Sequence, residues 1–152
     1  MGNPRKQCKD CLSEGVTTKR PAPHPGPRCS SHHRAVKRAR SEGAWAKRIE
    51  ATYGITADEY WAIYEAQGRV CYICRRANGK VRRLAVDHDH VSGLVRGLLC
   101  RSCNRGILGR ARDDIEFFER AIEYLQEPPA QQIIGERVVT DTTLIKKGGD
   151  VA

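Results

Sequence analysis

The alternation of apolar and polar positions divides the chain into helical stretches and one hairpin. From about His33 to Tyr53, Val36, Trp45, Ile49 and Tyr53 form a thin apolar stripe on a strongly basic segment. That pattern predicts a helix, with Gly43 as an interruption and Gly54 as its stop. Thr56-Ala-Asp-Glu59 has the spacing of a capping box, and Ile55 is placed as its hydrophobic staple. The helix opened there runs to about Gln67, with Tyr60, Ile63 and Tyr64 on one face and Gly68 after its end. Tyr60, Trp61 and Tyr64 read first as core packing and second as surfaces for base stacking. Asn78-Gly79 signals a tight turn. Leu84-Ala-Val86 reads as a short strand, Ser92-Gly93 as a turn, and Leu94 to Leu99 as the returning strand. Cys100-Arg-Ser-Cys103-Asn104 then begins a helix.

Asp113-Asp114-Ile-Glu116 puts acids at the positive end of a further helix. Ile115, Phe118, Ile122 and Leu125 recur through it at helical spacing, and Pro128-Pro129 closes it. Val138 to Ile145 is a β-prone run in a polar tail: an edge strand, an oligomer contact or a flexible end. These elements predict a small α+β fold. Its segments are a knuckle over 1–34, basic and amphipathic helices over 35–68, a hairpin core over 69–112, a helix over 113–127 and a tail over 128–152.

Composition narrows the class. The chain has 152 residues, enough for one domain, and no apolar run long enough to span a bilayer. Its first ten residues are polar, without the apolar stretch of a signal peptide. A cytoplasmic location is therefore expected, where seven cysteines read as metal ligands rather than disulfides. Charge is concentrated where the cysteines are. Residues 1–48 hold twelve Lys/Arg against three acids, a net +9, and residues 69–112 hold eleven against two, again +9. Residues 113–127 hold one Arg and six acids, a net −5. Two basic segments point to a polyanion partner, most simply nucleic acid.

The cysteines occur in pairs. Cys71-x2-Cys74 and Cys100-x2-Cys103 supply four thiolates, a set that suits tetrahedral Zn²⁺ and gives a small core folding energy. A redox dithiol of the thioredoxin kind is excluded by the presence of two pairs and the lack of a βαβ pattern. Cys8-x2-Cys11 and Cys29-x2-His32 offer a second, Cys₃His site, with His33 and then His24 as alternative fourth ligands. Four prolines between Pro21 and Pro27 forbid regular structure there. Asp87-His88-Asp89-His90 is left over once thiolates have filled the structural sites. Hard oxygen donors suit Mg²⁺ or a similar ion, and imidazole can act as a base. Strand alternation sends Asp87 and Asp89 to one face and His88 and His90 to the other. The plain structural alternative is that these residues cap the hairpin.

The arrangement C-x2-C, then DHDH, then G-L-x-R-G-L-L-C-x2-C-N, resembles the bacteriophage endonuclease VII family of HNH nucleases. The likeness covers Tyr53 to Leu108, and Tyr53-Gly-Ile-Thr-Ala-Asp-Glu-Tyr60 upstream is similar to a segment of some phage members. The resemblance implies a ββα-metal core pinned by structural zinc. It further implies that Asp87 and Asn104 hold one catalytic Mg²⁺ or Mn²⁺, that His88 is the general base, and that His90 positions phosphate or the site. Asp89 would orient a histidine. An acid found in some relatives three positions after the Asn is Ile107 here. The implied activity is hydrolysis of DNA phosphodiester bonds, on branched, recombination or packaging intermediates. The implied partners are DNA, a second copy in a homodimer, and a phage packaging or recombination protein. Arg96, Arg101 and Arg105 lie close enough in sequence to contact flanking phosphates. The competing function is a zinc-containing nucleic-acid-binding module that does not cut.

Overall fold

The computed structural model describes residues 7–16, 20–141 and 143. The chain divides into two compact units, Met1–Leu99 and Cys100–Ala152. The first contains α1 (Lys9–Ser13), α2 (Ser30–Tyr53), α3 (Ala57–Ala66), β1 (Ala85–His88) and β2 (Val95–Leu99). The second opens with a π-helical segment, Ser102–Leu108, that runs on into α4 (Gly109–Ala111), and continues through α5 (Ile115–Gln126) and α6 (Pro129–Ile134). The mixed helix and small antiparallel sheet make this an α+β protein.

Helix α2 is longer than its apolar stripe predicts. It starts at Ser30 and passes through Gly43 without a break. The cost of a helical glycine, about 1 kcal/mol relative to Ala, is outweighed by the burial of Trp45 and Ile49 two and six residues later. Gly54 ends the helix in the left-handed conformation at φ +68°, its N–H bonded to the carbonyl of Glu50. The capping box then forms as expected. The Glu59 N–H donates to Thr56 Oγ1 at 3.2 Å, and the Thr56 N–H donates to Glu59 Oε2 at 2.7 Å. The turn between the helices lets Trp45 of α2 meet Tyr60 of α3 edge to face at 5.0 Å. Tyr60 is almost wholly buried and donates its hydroxyl to the carbonyl of Leu84 at 2.9 Å, which fixes the entry to β1.

The sheet is a single antiparallel pair. Ala85 lies opposite Leu99, Val86 opposite Leu98, and Asp87 opposite Gly97, but His88 lies opposite Val95, so Arg96 is an extra residue on β2. Val86, Leu98 and Leu99 are buried, as is Leu84 just before β1. The outer edge of β2 is covered by one side chain. Gln67 accepts from the Leu98 N–H at 2.8 Å and donates to the Leu98 carbonyl at 2.8 Å. Gly97 permits this close approach, since a Cβ there would stand 2.8 Å from Gln67 Oε1.

Two expectations for the C-terminal unit change. Pro128-Pro129 does close α5, but it also opens α6, with Pro129 at the first helical position where a missing N–H costs nothing. The β-prone run beginning at Val138 forms no strand among its described residues, and Thr142, Leu144 and Ile145 lie outside them. Helix α5 has the predicted amphipathic pattern yet buries none of its residues. No helix among the described residues is long and apolar enough to cross a membrane.

Candidate metal centres and active site

The N-terminal cysteines are gathered by two helix starts. Cys8 and Cys29 precede the first turns of α1 and α2, and Cys11 and His32 lie inside those turns. An i, i+3 pair at a helix start places both ligand atoms on one side of the turn. The short helix α1, absent from the sequence reading, is what aims Cys11 inward. His32 Nδ1 lies 3.3 Å from Cys8 Sγ, 3.4 Å from Cys11 Sγ and 3.4 Å from Cys29 Sγ, and the last two sulfurs are 3.8 Å apart. A tetrahedral zinc ion with ordinary Zn–S and Zn–N bonds has S···S edges of about 3.8 Å and S···N edges of about 3.6 Å. The donor set fits that ion. The far ring nitrogen of His32 meets Glu14 Oε2 at 3.0 Å, the carboxylate–imidazole contact that orients a metal-bound histidine.

His33 turns elsewhere. It stacks on His24 at 4.3 Å, and His24 Nε2 lies 3.1 Å from Ser30 Oγ. His32 is thus the residue brought to the three cysteines. The N–H of His32 reaches the Cys29 sulfur and holds that thiol below its ordinary value. Burial raises the Cys8 thiol, but the N–H groups of Cys29 and Cys11 more than offset it and bring it down to about 6. Burial pushes Cys11 up to about 11, helped by the neighbouring sulfurs. Contact with Cys8 raises His32 to about 9. Protons are therefore shared unevenly over four close groups, and an ion entering the cluster would expel them.

The second cysteine set, Cys71, Cys74, Cys100 and Cys103, also has its four sulfurs within 4.8 Å of one another, as structural zinc requires. All seven cysteines are free of disulfides. Cys71 and Cys74 bracket a turn in which the Arg75 N–H returns to the Cys71 carbonyl at 3.0 Å. In the second unit the Cys103 N–H points at Cys100 Sγ at 3.5 Å.

The DHDH residues part at the irregularity in the hairpin. Asp87 is buried, and Arg96 grips it with Nε at 2.8 Å from Oδ2 and Nη2 at 3.3 Å from Oδ1. Asp89 accepts from the N–H groups of Val91 and Ser92, at 2.9 and 2.6 Å, and from the Ser92 hydroxyl at 2.9 Å. Those bonds hold its carboxyl below the usual range. Asp89 is thus tied into the turn, as in the structural alternative, and its second oxygen lies 3.9 Å from Arg96. His88 and His90 have ring centroids 5.0 Å apart, and the ring of Tyr53 lies 5.8 Å from His88. In the apolar pattern Tyr53 is the last member of the α2 stripe. Its contact with the imidazole had one sequence signal, its place at the head of the YGIT segment.

Asn104 stands in the π-helical segment, its N–H bonded to the Cys100 carbonyl at 2.9 Å. Wide π turns often mark functional positions. Arg105 and Ile107 are exposed on the same segment, and Arg101 is exposed at the position just before it. Arg96 differs from them, because its guanidinium is spent on the two aspartates.

Residues 46–127 match the sequence model of the family described as recombination endonuclease VII. The "Gene 59 protein" of Mycobacterium phage D29 is 64% identical over 134 residues, covering 88% of this chain and 81% of that protein. The "Gene 59 protein" of Mycobacterium phage L5 is likewise 64% identical over 134 residues, covering 88% of this chain and 82% of its own. No solved structure matches the chain. With more than half of the chain matched as one segment, and phage proteins this similar along most of their length, the protein belongs to the recombination endonuclease VII family of nucleases.

Proposed function

We propose that the chain is a metal-dependent HNH endonuclease that hydrolyses DNA phosphodiester bonds, with branched or recombination DNA as its substrate. The observation that carries this reading is the family match over residues 46–127, a span that contains Asp87, His88, His90 and Asn104 together. Hairpin geometry supports it. Asp87 is buried at the irregularity, prepositioned by Arg96, and the neighbouring His88 is set against Tyr53 and His90.

In this reading Asp87 and Asn104 would hold the catalytic ion. A carboxylate and an amide oxygen are hard donors that fit Mg²⁺ or Mn²⁺ and leave positions open. When bound, such an ion supplies Lewis-acid stabilisation of the negative charge that builds on the phosphate. His88 takes the proton from the attacking water. His90 positions the scissile phosphate. Arg101, just before the π-helical segment, and Arg105, exposed on it, contact phosphates on either side. The cysteine sets hold two structural zinc ions. The partner is DNA, the protein acts in the cytoplasm of an infected cell, and a homodimer is the expected assembly.

A plasmid-nicking assay with zinc-loaded protein tests this. Wild type should nick in Mg²⁺ or Mn²⁺ and stop when the ion is withheld, and His88→Ala should lose nicking by orders of magnitude while keeping its zinc and its fold. Full activity of His88→Ala would refute the assignment. One observation favours the non-cutting, zinc-containing DNA-binding module: both oxygens of Asp87 are already paired with Arg96. That reading predicts no nicking with any divalent ion and unchanged DNA binding in Asp87→Asn.

A further inference from the structure

Helix α3 and the loop after Asn78 enclose a groove of about 460 Å³, within the ~300–1,000 Å³ usual for ligand clefts. Tyr60, Trp61 and Tyr64 form one wall, and Gly79, Lys80 and Val81 belong to the other. The walls are fixed in advance. Tyr64 donates its hydroxyl to the Asn78 carbonyl at 2.5 Å, and Trp61 stands edge-on to Tyr60 at 5.2 Å and to Tyr64 at 5.5 Å. Gly79, at φ +69°, keeps the loop close, since a Cβ there would lie 3.4 Å from Leu84 Cγ and 3.6 Å from the Tyr64 ring.

Two features of the groove are not needed for folding. Trp61 and Val81 leave large apolar surfaces exposed, 38% and 103% of their reference areas. The loop over 75–83 carries Arg75, Arg76, Lys80, Arg82 and Arg83 with no acid among them. Arg83 is committed to the fold, paired with Glu42 and held 4.0 Å over the Trp45 ring, but Lys80 is exposed on the groove. A ligand that satisfies both features is a flat apolar ring on an anionic backbone. Stacked bases in a duplex hide their faces; bases of a single strand do not.

We propose that this groove seats an unpaired base of single-stranded DNA on Trp61, with Lys80 against an adjoining phosphate. The proposal rests on the nuclease reading and deepens it. Leu84 of the groove precedes Asp87 by three residues, about 10 Å along an extended strand. An unpaired segment held here would lie beside the proposed site of hydrolysis, which is how a branch would be distinguished from plain duplex.

Titration of the zinc-loaded full chain with oligothymidylate, without Mg²⁺ or Mn²⁺, tests the groove by tryptophan emission and fluorescence anisotropy. Wild-type emission should be quenched, and Trp61→Phe should lose the quench. Trp61→Leu should lower the affinity for oligothymidylate on the order of tenfold, since one stacked base contributes about that much. Lys80→Ala should reduce the slope of log affinity against log salt by about 0.7, one phosphate contact on a single strand. Unchanged emission at saturation would overturn the proposal, as would wild-type affinity in Trp61→Leu. Should Trp61→Leu fail to fold, an unchanged salt slope in Lys80→Ala overturns it alone. A wild type that nicks no DNA yet shows the quench sinks the nuclease reading and leaves the groove. An active nuclease without the quench sinks the groove only.

Discussion

Replacing Gln67 should damage the hairpin more than any surface position of the same size. The Leu98 N–H and carbonyl point away from β1, because Leu98 and Val86 form a pair whose backbone groups face outward. They are completed by the Gln67 amide at 2.8 Å each, and Leu98 has no exposed surface through which water could substitute. The carbonyl also has the Tyr72 N–H at a long 3.4 Å, so it keeps a weak partner, whereas the Leu98 N–H loses the Gln67 oxygen. An orphaned buried backbone group costs about 1–3 kcal/mol. Counting the N–H in full and the carbonyl in part gives about 2–4 kcal/mol for Gln67→Met, a change that keeps the volume and removes the polar atoms. Gln67→Ala adds a cavity and should cost more. Urea denaturation of the zinc-loaded protein measures both. A loss below about 0.5 kcal/mol in Gln67→Met would refute the claim that this amide completes the strand.

The knuckle makes a paired prediction: His32→Ala should lower bound zinc by one equivalent in a metal assay, whereas His33→Ala should leave it unchanged. Glu14→Gln should weaken that site about 10–100-fold in chelator competition, as loss of an orienting carboxylate does elsewhere. The α3 cap has a pH signature. The Thr56 N–H and hydroxyl hold the Glu59 carboxyl below its usual value, so its contribution to stability is present above the ordinary glutamate range and lost as pH falls through the lowered one. Side-chain carbon NMR of Glu59 should show this depression, and Thr56→Ala should return it toward normal while costing about 1 kcal/mol.

How much could be read from sequence depended on how local each cause was. The α3 cap, the Gly54 stop and the Ser92-Gly93 turn are set by neighbouring residues, and all appear where the pattern placed them. Cys8, Cys11 and Cys29 were recognisable from spacing, but the choice of His32 over His33 depends on the α2 start at Ser30, which rotates one imidazole to the sulfurs and the next to His24. Gln67 carries no sequence signal, because its bonds join a helix end to a strand thirty-one residues away. The π geometry around Asn104 was equally hidden: residue types favour helix there without distinguishing its pitch.

The least legible feature governs the DHDH segment most directly. In a regular ladder with Asp87 opposite Gly97, Arg96 would lie opposite His88 and share its face. The extra residue on β2 moves Val95 opposite His88 and turns Arg96 toward Asp87 instead. One backbone irregularity therefore decides which neighbour receives the cation. Beside Asp87, the guanidinium gives a buried polar side chain its partner. Beside His88 it would crowd the ring that Tyr53 and His90 now approach. In the proposed mechanism Asp87 is the carboxylate that would hold the ion and His88 the base, and this register gives the guanidinium to the first and keeps it off the second. Strand alternation alone would have set Arg96 against the wrong one of them.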